Sequence, residues 1–141
     1  MNFWVWSLLV CSLSLNAVAA EKPPFAGTWE ATINDLPGVK IKIEESGGRL
    51  GGTVVFFFHR RGDDGKWHVE GDNRGGPMLV PRLQGKVLTF EVTHHKTHGS
   101  SELGPNVKFR LELMGANEAR LRQVEDQPDA PGTGLRLTRR R

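Results

Sequence analysis

The chain has 141 residues, a formal net charge of +3 at pH 7 and a single cysteine, Cys11. Because Cys11 lies in a predicted leader, the rest of the chain carries no thiol, which excludes cysteine metal sites and thiol catalysis. The basic residues alternate with acidic ones except at Arg139-Arg140-Arg141, so the charge predicts a mildly basic, solvated surface and no nucleic-acid partner.

Residues 1–20 are predicted to be a signal peptide that is cleaved after Ala20. The run from Phe3 to Leu15 is apolar and too short to span a bilayer, and the small residues of 17–20 suit a signal peptidase. No lysine or arginine precedes the apolar run, so an uncleaved membrane anchor stays open as the alternative. Residues 21–141 are then predicted to form one secreted or periplasmic domain, long enough to bury a core.

The first half of this domain alternates apolar and polar residues with the period of two that indicates half-buried strands. The first strand starts at Thr28, and the next begins near Val39 after a predicted turn at Leu36-Pro37-Gly38. The third, 50–61, is apolar on both faces and is followed by a short strand at 67–70. Apolar side chains predicted to share one face are Trp29, Ala31, Ile33, Val39, Ile41 and Ile43.

The second half repeats the pattern after a glycine-rich stretch. The segment Met78 to Leu83 is ambiguous, but its proline argues against a helix and leaves a short extra strand as an option. Further strands are predicted around Phe90, Phe109, Leu121 and Leu137. Some eight short strands joined by tight turns predict an all-β domain, a single antiparallel up-and-down barrel. Such a barrel is either filled by side chains or holds one small ligand.

The tripeptide Gly27-Thr28-Trp29 resembles the glycine-x-tryptophan signature of the lipocalin and wider calycin barrels. In those families an arginine or lysine of the last strand packs across the tryptophan at the closed end. Arg139 is in phase with Leu135 and Leu137, so the resemblance implies that Arg139 packs on Trp29 as a structural closure. The chain is similar to small secreted lipocalin-like bacterial barrels. The second lipocalin motif, with aspartate and tyrosine, has no counterpart, and the chain has no tyrosine.

Histidines form the most unusual stretch of the sequence, at His94, His95 and His98. His94 and His95 point to opposite faces of an extended strand, so they cannot share one metal ion without a bulge. His94 and His98 converge if the chain curls after Lys96, which makes them weak metal candidates. The alternatives are that His94 contacts a ligand from the apolar face, or that the histidines are ordinary surface residues.

The apolar run Val54 to Phe58 predicts two covered faces. Val54, Phe56 and Phe58 share the face assigned to the core. Val55 and Phe57 then need cover from a terminal segment or from a second copy of the chain, which would make a homo-oligomer.

Three hypotheses for function follow. The first is a binding barrel for a small apolar ligand, lined by the residues Phe56, Phe58, Phe90, His94 and Phe109. The second is a structural or envelope interaction protein with a filled barrel and no ligand. The third is an enzyme with a histidine metal site, but no catalytic set such as Gly-x-Ser-x-Gly is present, and neither catalytic residues nor a cofactor are expected.

Overall fold

A computed structural model of the chain describes residues 24–70, 75–95, 101–124 and 134–140. The predicted signal peptide, Cys11, His98 and Arg141 lie outside these ranges. In the described part of the chain no helix is long and apolar enough to cross a membrane.

The described residues form eleven strands and no helix. The strands of the first half are β1 (Gly27–Ile33), β2 (Leu36–Ser46), β3 (Arg49–Phe56), β4 (Phe58–Arg61), β5 (Trp67–Glu70) and β6 (Gly76–Pro77). Those of the second half are β7 (Leu79–Gln84), β8 (Val87–Val92), β9 (Val107–Gly115), β10 (Glu118–Gln123) and β11 (Leu135–Arg140). The ambiguous segment around residues 78–83 is therefore a strand, β7.

Nine strands make one antiparallel sheet in the order β6-β3-β2-β1-β11-β10-β9-β8-β7. Its two outermost strands, β6 and β7, are consecutive in the chain and are separated only by Met78, whose N–H donates to the carbonyl of Gly52 at 2.9 Å. The sheet thus nearly closes on itself. The prediction of an all-β up-and-down barrel is confirmed, and the architecture is compatible with a lipocalin-like fold.

Alternation decides which side of each strand faces the interior. On β8, Leu88, Phe90 and Val92 are buried, whereas the residues between them are half-buried on the outer side. Buried residues of β1–β3 and β8–β11, together with two residues outside the strands, pack into one cluster, whose members are Phe25, Trp29, Ala31, Val39, Ile41, Ile43, Val54, Met78, Leu88, Phe90, Val92, Leu111, Ala119, Leu121 and Leu137. Side chains therefore fill the interior, and burying them is the main source of stability.

The long third strand of the prediction is broken at Phe57. β3 pairs with β2 as far as Phe56 opposite Val39, and the Phe57 N–H donates to the Gly38 carbonyl at 3.0 Å. The next residue of β2 is Pro37, which has no N–H to donate, and the ladder ends there. The chain then forms a separate hairpin of β4 and β5.

Two sequence expectations are corrected at this end of the barrel. Phe58 was assigned to the core with Phe56, but it begins the separate hairpin and is 57% exposed. The first turn was expected at Leu36-Pro37-Gly38, yet these residues belong to β2. The turn lies at Asn34 and Asp35, which both have positive φ, as a two-residue hairpin turn requires.

Candidate functional site

The barrel has two ends of different character. The closed end is the one where β1 begins and where tight turns join β2 to β3, β7 to β8 and β9 to β10. The open end carries the β1–β2 turn, the β4–β5 hairpin and the long connection from β8 to β9. A functional site can be sought at either end, and the two are described in turn.

The closed end is held by Trp29. This side chain is fully buried, and its indole N–H donates to the carbonyl of Phe25 at 2.8 Å. The guanidinium of Arg139 lies 4.5 Å from the centroid of the Trp29 ring and also donates to the carbonyl of Pro24. Phe25 is itself fully buried. These contacts join Pro24 and Phe25 to the first and last strands at the closed end. Phe25 is the member that the sequence analysis missed, and its signal is a large apolar residue two positions before Gly27.

A wide depression of about 590 Å³ lies beside this end, between the start of β1 and the end of β2. Its walls come from residues 26–28 and 42–46, among them Lys42, Glu44, Glu45 and Ser46. Its lining combines exposed polar side chains with the buried Ala26 and Ile43, and none of the aromatic side chains predicted to bind a ligand contributes to it.

Three of the predicted ligand-binding phenylalanines meet near the open end. The Phe56 and Phe109 rings have centroids 5.1 Å apart, and those of Phe90 and Phe109 are 5.9 Å apart and stacked. Phe90 is buried, whereas Phe56 and Phe109 are only half-buried. Leu135 is also half-buried against the core at this end. We call these four residues the open-end cluster.

The cluster forms where four strands, β3, β8, β9 and β11, carry apolar residues toward the open end. Phe90 lies directly opposite Phe109 in the β8–β9 pair, and Phe56 is the last residue of β3. Ring separations of this size fall in the range in which aromatic side chains attract one another. The Phe56 and Phe109 rings pack against the buried core, and part of their apolar surface remains exposed to solvent.

His94 does not follow Phe90 and Val92 into the interior. β8 ends at Val92, and His94 is exposed. Its carbonyl accepts the N–H of Gly104 at 2.7 Å, and its ring lies so close to Gly104 that a Cβ there would come within 2.9 Å of Nε2. His95 forms an isolated bridge with Leu103. The chain therefore folds back on itself just beyond β8, and the alternation stops at Val92.

The histidine metal site at His94 and His98 stays a prediction, because the structure does not describe His98. Among the described residues no three side chains of the metal-binding types come together, and His98 is not among those residues. Two side chains of the metal-binding types do meet on the β4–β5 hairpin, where the His68 ring lies 3.1 Å from an Asp64 oxygen. The backbone N–H of Lys66, more than His68, holds the pKa of the Asp64 carboxyl below its usual value. These are contacts that shape a tight turn.

The expected apolar surface at Val55 and Phe57 differs from the one observed. Both side chains are half-buried, and the chain at Gly75 passes against Val55. Three exposed apolar residues, Phe58, Trp67 and Val69, lie on the neighbouring β4–β5 hairpin, and the other exposed apolar residues are scattered over the described surface. This hairpin is tied to the barrel by His59, whose Nε2 lies 2.7 Å from the carbonyl of Pro37.

Comparisons of the chain with protein-family models, with curated protein sequences and with solved structures find no match. Function therefore has to be inferred from the open-end cluster and from the outer surface of the barrel.

Proposed function

We propose that the protein binds a small apolar ligand, or the apolar part of a larger one, at the open end of the barrel. The observation that carries this proposal is the pair of half-buried rings of Phe56 and Phe109, whose centroids are 5.1 Å apart. Both rings pack against the filled core. An apolar ligand laid on these rings would remove their remaining surface from water. Phe90, directly opposite on β8, stacks against Phe109. Phe58 and His94, both exposed, are left out of the proposed site.

The filled interior limits how much such a site can bind. Apolar surface removed from water contributes about 25 cal/mol per Å², so covering roughly 150 Å² would supply about 4 kcal/mol. The cost of immobilising the ligand reduces this, and the expected dissociation constant is about 1 mM or weaker for a single small molecule. A ligand with an extended apolar surface would bind more tightly. The proposal is thus for a shallow site at the mouth and not for an enclosed cavity.

Two further parts of this proposal concern identity and location. Gly27, Trp29 and the Arg139 contact support membership of the lipocalin-like barrels, in which a glycine-x-tryptophan strand meets a basic residue at the closed end. The apolar run before Ala20 supports export to the periplasm or beyond, with cleavage after Ala20.

The filled core favours one alternative, a structural or envelope interaction protein without a ligand. Fifteen buried apolar residues occupy the interior, and none of the described polar side chains is fully buried. Self-association through Val55 and Phe57 belongs to this alternative and is tested by measuring mass in solution for the wild type and for Phe57→Ser.

The ligand hypothesis is tested by titrating the protein with an environment-sensitive hydrophobic dye. Phe109→Ala should weaken dye binding at least fivefold because it removes the central ring of the cluster. Leu113→Ala is the matched control, since Leu113 is also a half-buried, inward-facing residue of β9 but lies at the closed end. Both substitutions remove contacts with the core. A difference in dye binding between the two variants therefore reports on the open-end cluster and not on a general loss of packing.

Equal dye binding by both variants and the wild type would overturn the ligand proposal and favour the filled-barrel alternative. Native mass spectrometry of the protein purified from its host gives a second readout for a ligand with an extended apolar surface, which would bind tightly enough to remain through purification. A bound small molecule that is lost in Phe109→Ala and retained in Leu113→Ala supports the site.

A further inference from the structure

One polar side chain, that of Gln123, shares the inward-facing side of the sheet at the open end of β8 to β11. Every second residue of these strands faces the interior, and the described residues at those positions are apolar except for two. One exception is Arg139, which covers Trp29 at the closed end. The other is Gln123, the last residue of β10.

The register of β9 and β10 places Gln123 beside the central ring of the open-end cluster. Gln123 lies directly opposite Phe109 in this pair of strands. Residues directly opposite one another carry their side chains on the same face of the sheet. Gln123 is therefore on the side that holds the Phe109 ring, and it is exposed to solvent there.

Phe109 and Gln123 also form the closer of the two kinds of antiparallel pair. The Val124 N–H donates to the Lys108 carbonyl at 2.8 Å, so this hydrogen bond joins the residues next to the pair on each strand. Phe109 and Gln123 are then a non-hydrogen-bonded pair, in which the Cα atoms are only about 4.5 Å apart. A molecule that lies on the Phe109 ring is within reach of the Gln123 amide.

The Gln123 amide is available to such a molecule. Within the described part of the chain its side chain makes no hydrogen bond. A glutamine amide carries no charge, donates through its NH₂ group and accepts through its carbonyl oxygen. It therefore pairs best with a neutral group that also donates and accepts.

The surroundings of Gln123 disfavour a charged ligand group. The described inward-facing residues that lie farthest toward the open end of β8 to β11 are Val92, Val107, Gln123 and Leu135. None of these four is a counter-ion. A charged group that leaves water for an apolar surface without a partner loses free energy, whereas a neutral group that finds a hydrogen bond does not.

We propose that the ligand of the open end carries an alcohol or an amide group on an apolar body, and that Gln123 selects this group. The inference rests on the function proposed above for the open-end cluster. A ligand amide accepts a hydrogen bond from the Gln123 NH₂ group and donates one to its carbonyl oxygen. A carboxylate only accepts, so it leaves the Gln123 carbonyl without a donor.

The test is competition for an uncharged hydrophobic dye bound to the protein, with octanamide and octanoate as probes of equal chain length. One net hydrogen bond changes a dissociation constant about fivefold. The ratio of the octanoate concentration to the octanamide concentration that displaces half of the dye should therefore fall about fivefold in Gln123→Leu. Using the ratio removes any effect of the substitution on the dye itself.

Two further variants separate selection by Gln123 from a structural role. Gln123→Lys should reverse the preference, because an ammonium group donates to a carboxylate and cannot accept from an amide N–H. Loss of packing alone does not produce such a reversal. Gln84→Leu is the matched control, since it makes the same exchange at an exposed position beside the β7–β8 turn at the closed end, and its ratio should equal that of the wild type.

The outcomes distinguish the inference from the function on which it rests. A wild type that binds no dye, or Phe109→Ala that binds dye as well as the wild type, would overturn both. Dye binding that depends on Phe109, with the same ratio in the wild type, Gln123→Leu and Gln123→Lys, would overturn only the role of Gln123. An equal fall of the ratio in Gln84→Leu and Gln123→Leu would also overturn that role.

Discussion

Replacing Trp29 with phenylalanine tests whether the closed end is fastened as the geometry indicates. The variant keeps an aromatic ring in the core but removes the indole N–H and shrinks the ring under Arg139. The Phe25 carbonyl then loses its buried donor at 2.8 Å. We expect the segment before β1 to detach more readily and the whole barrel to lose stability.

The expected loss can be worked out term by term. A buried carbonyl left without a donor costs about 1–3 kcal/mol. The weaker attraction between the cation and a smaller ring adds about 0.5 kcal/mol, and the unfilled space adds about 1 kcal/mol. The free energy of unfolding should therefore fall by about 3 kcal/mol, which lowers the melting temperature by roughly 10 °C for a domain of this size.

Urea unfolding followed by circular dichroism measures this change, with Trp67→Phe as the control. Trp67 is 45% exposed on the β4–β5 hairpin, so its replacement should change the free energy of unfolding by less than about 0.5 kcal/mol. If the two variants unfold at the same urea concentration, the Phe25–Trp29–Arg139 contacts do not hold the closed end.

Three other substitutions probe the outer surface and the backbone. Glu30→Gln should lower the melting temperature by a few degrees at pH 7, because a hydrogen bond from Arg140 stabilises the charged Glu30 carboxylate and holds its pKa below the usual 4.5. The difference in melting temperature between wild type and variant should vanish as the pH falls from 4.5 through that lowered pKa, because Glu30 is then protonated in both the folded and the unfolded state. Gly52→Ala should destabilise the protein by about 3 kcal/mol, since its Cβ would lie 1.9 Å from the Lys42 carbonyl oxygen and force β2 and β3 apart. Val80→Gly should stabilise it by up to about 1 kcal/mol, because Val80 has a φ of 46° that a β-branched residue rarely adopts, and it is 56% exposed.

The two backbone substitutions have control variants in the same chain, and Glu30→Gln is checked by its pH dependence. Gly51→Ala places its Cβ in open space, so destabilisation equal to that of Gly52→Ala would refute the clash. Val69→Gly removes an exposed strand valine whose φ is not positive and should be destabilising; if Val80→Gly behaves likewise, Val80 is not strained. A pH-independent effect of Glu30→Gln would show that the charge of Glu30 does not contribute to stability. The melting temperature of each of the five variants, measured by thermal unfolding, gives these comparisons.

The strands were predictable wherever polar and apolar residues alternate. On β8 and β9 one face is turned to the core and the other toward solvent. The period of two in the sequence therefore predicts that Phe90, Phe109 and Leu111 face the core. The contact between Trp29 and Arg139, at 4.5 Å, was implied by the family resemblance and not by the alternation.

The features that escaped prediction depend on partners far along the chain. The run from Val54 to Phe58 has no period, so nothing local marks Phe57 as the place where β3 leaves the barrel. That break coincides with Pro37 on the neighbouring strand. The phase of β8 likewise assigned His94 to the interior, because a sequence pattern does not show where the ladder ends. The pairing of Arg110 with Arg122 and of Arg120 with Arg136 could not be predicted either, because it depends on the register of β9, β10 and β11.

The first strand of the sheet pairs with the last, and this pairing has a consequence for how the protein folds. Glu30 and Arg140 meet across 110 positions of sequence. Each of the other pairings of the main sheet joins strands that are much closer in the chain. Bringing β1 to β11 therefore requires the largest loss of chain entropy, and barrel closure should limit the folding rate. During synthesis β1 keeps one unpaired edge until β11 has emerged, and in that interval the chain is most open to intermolecular strand pairing.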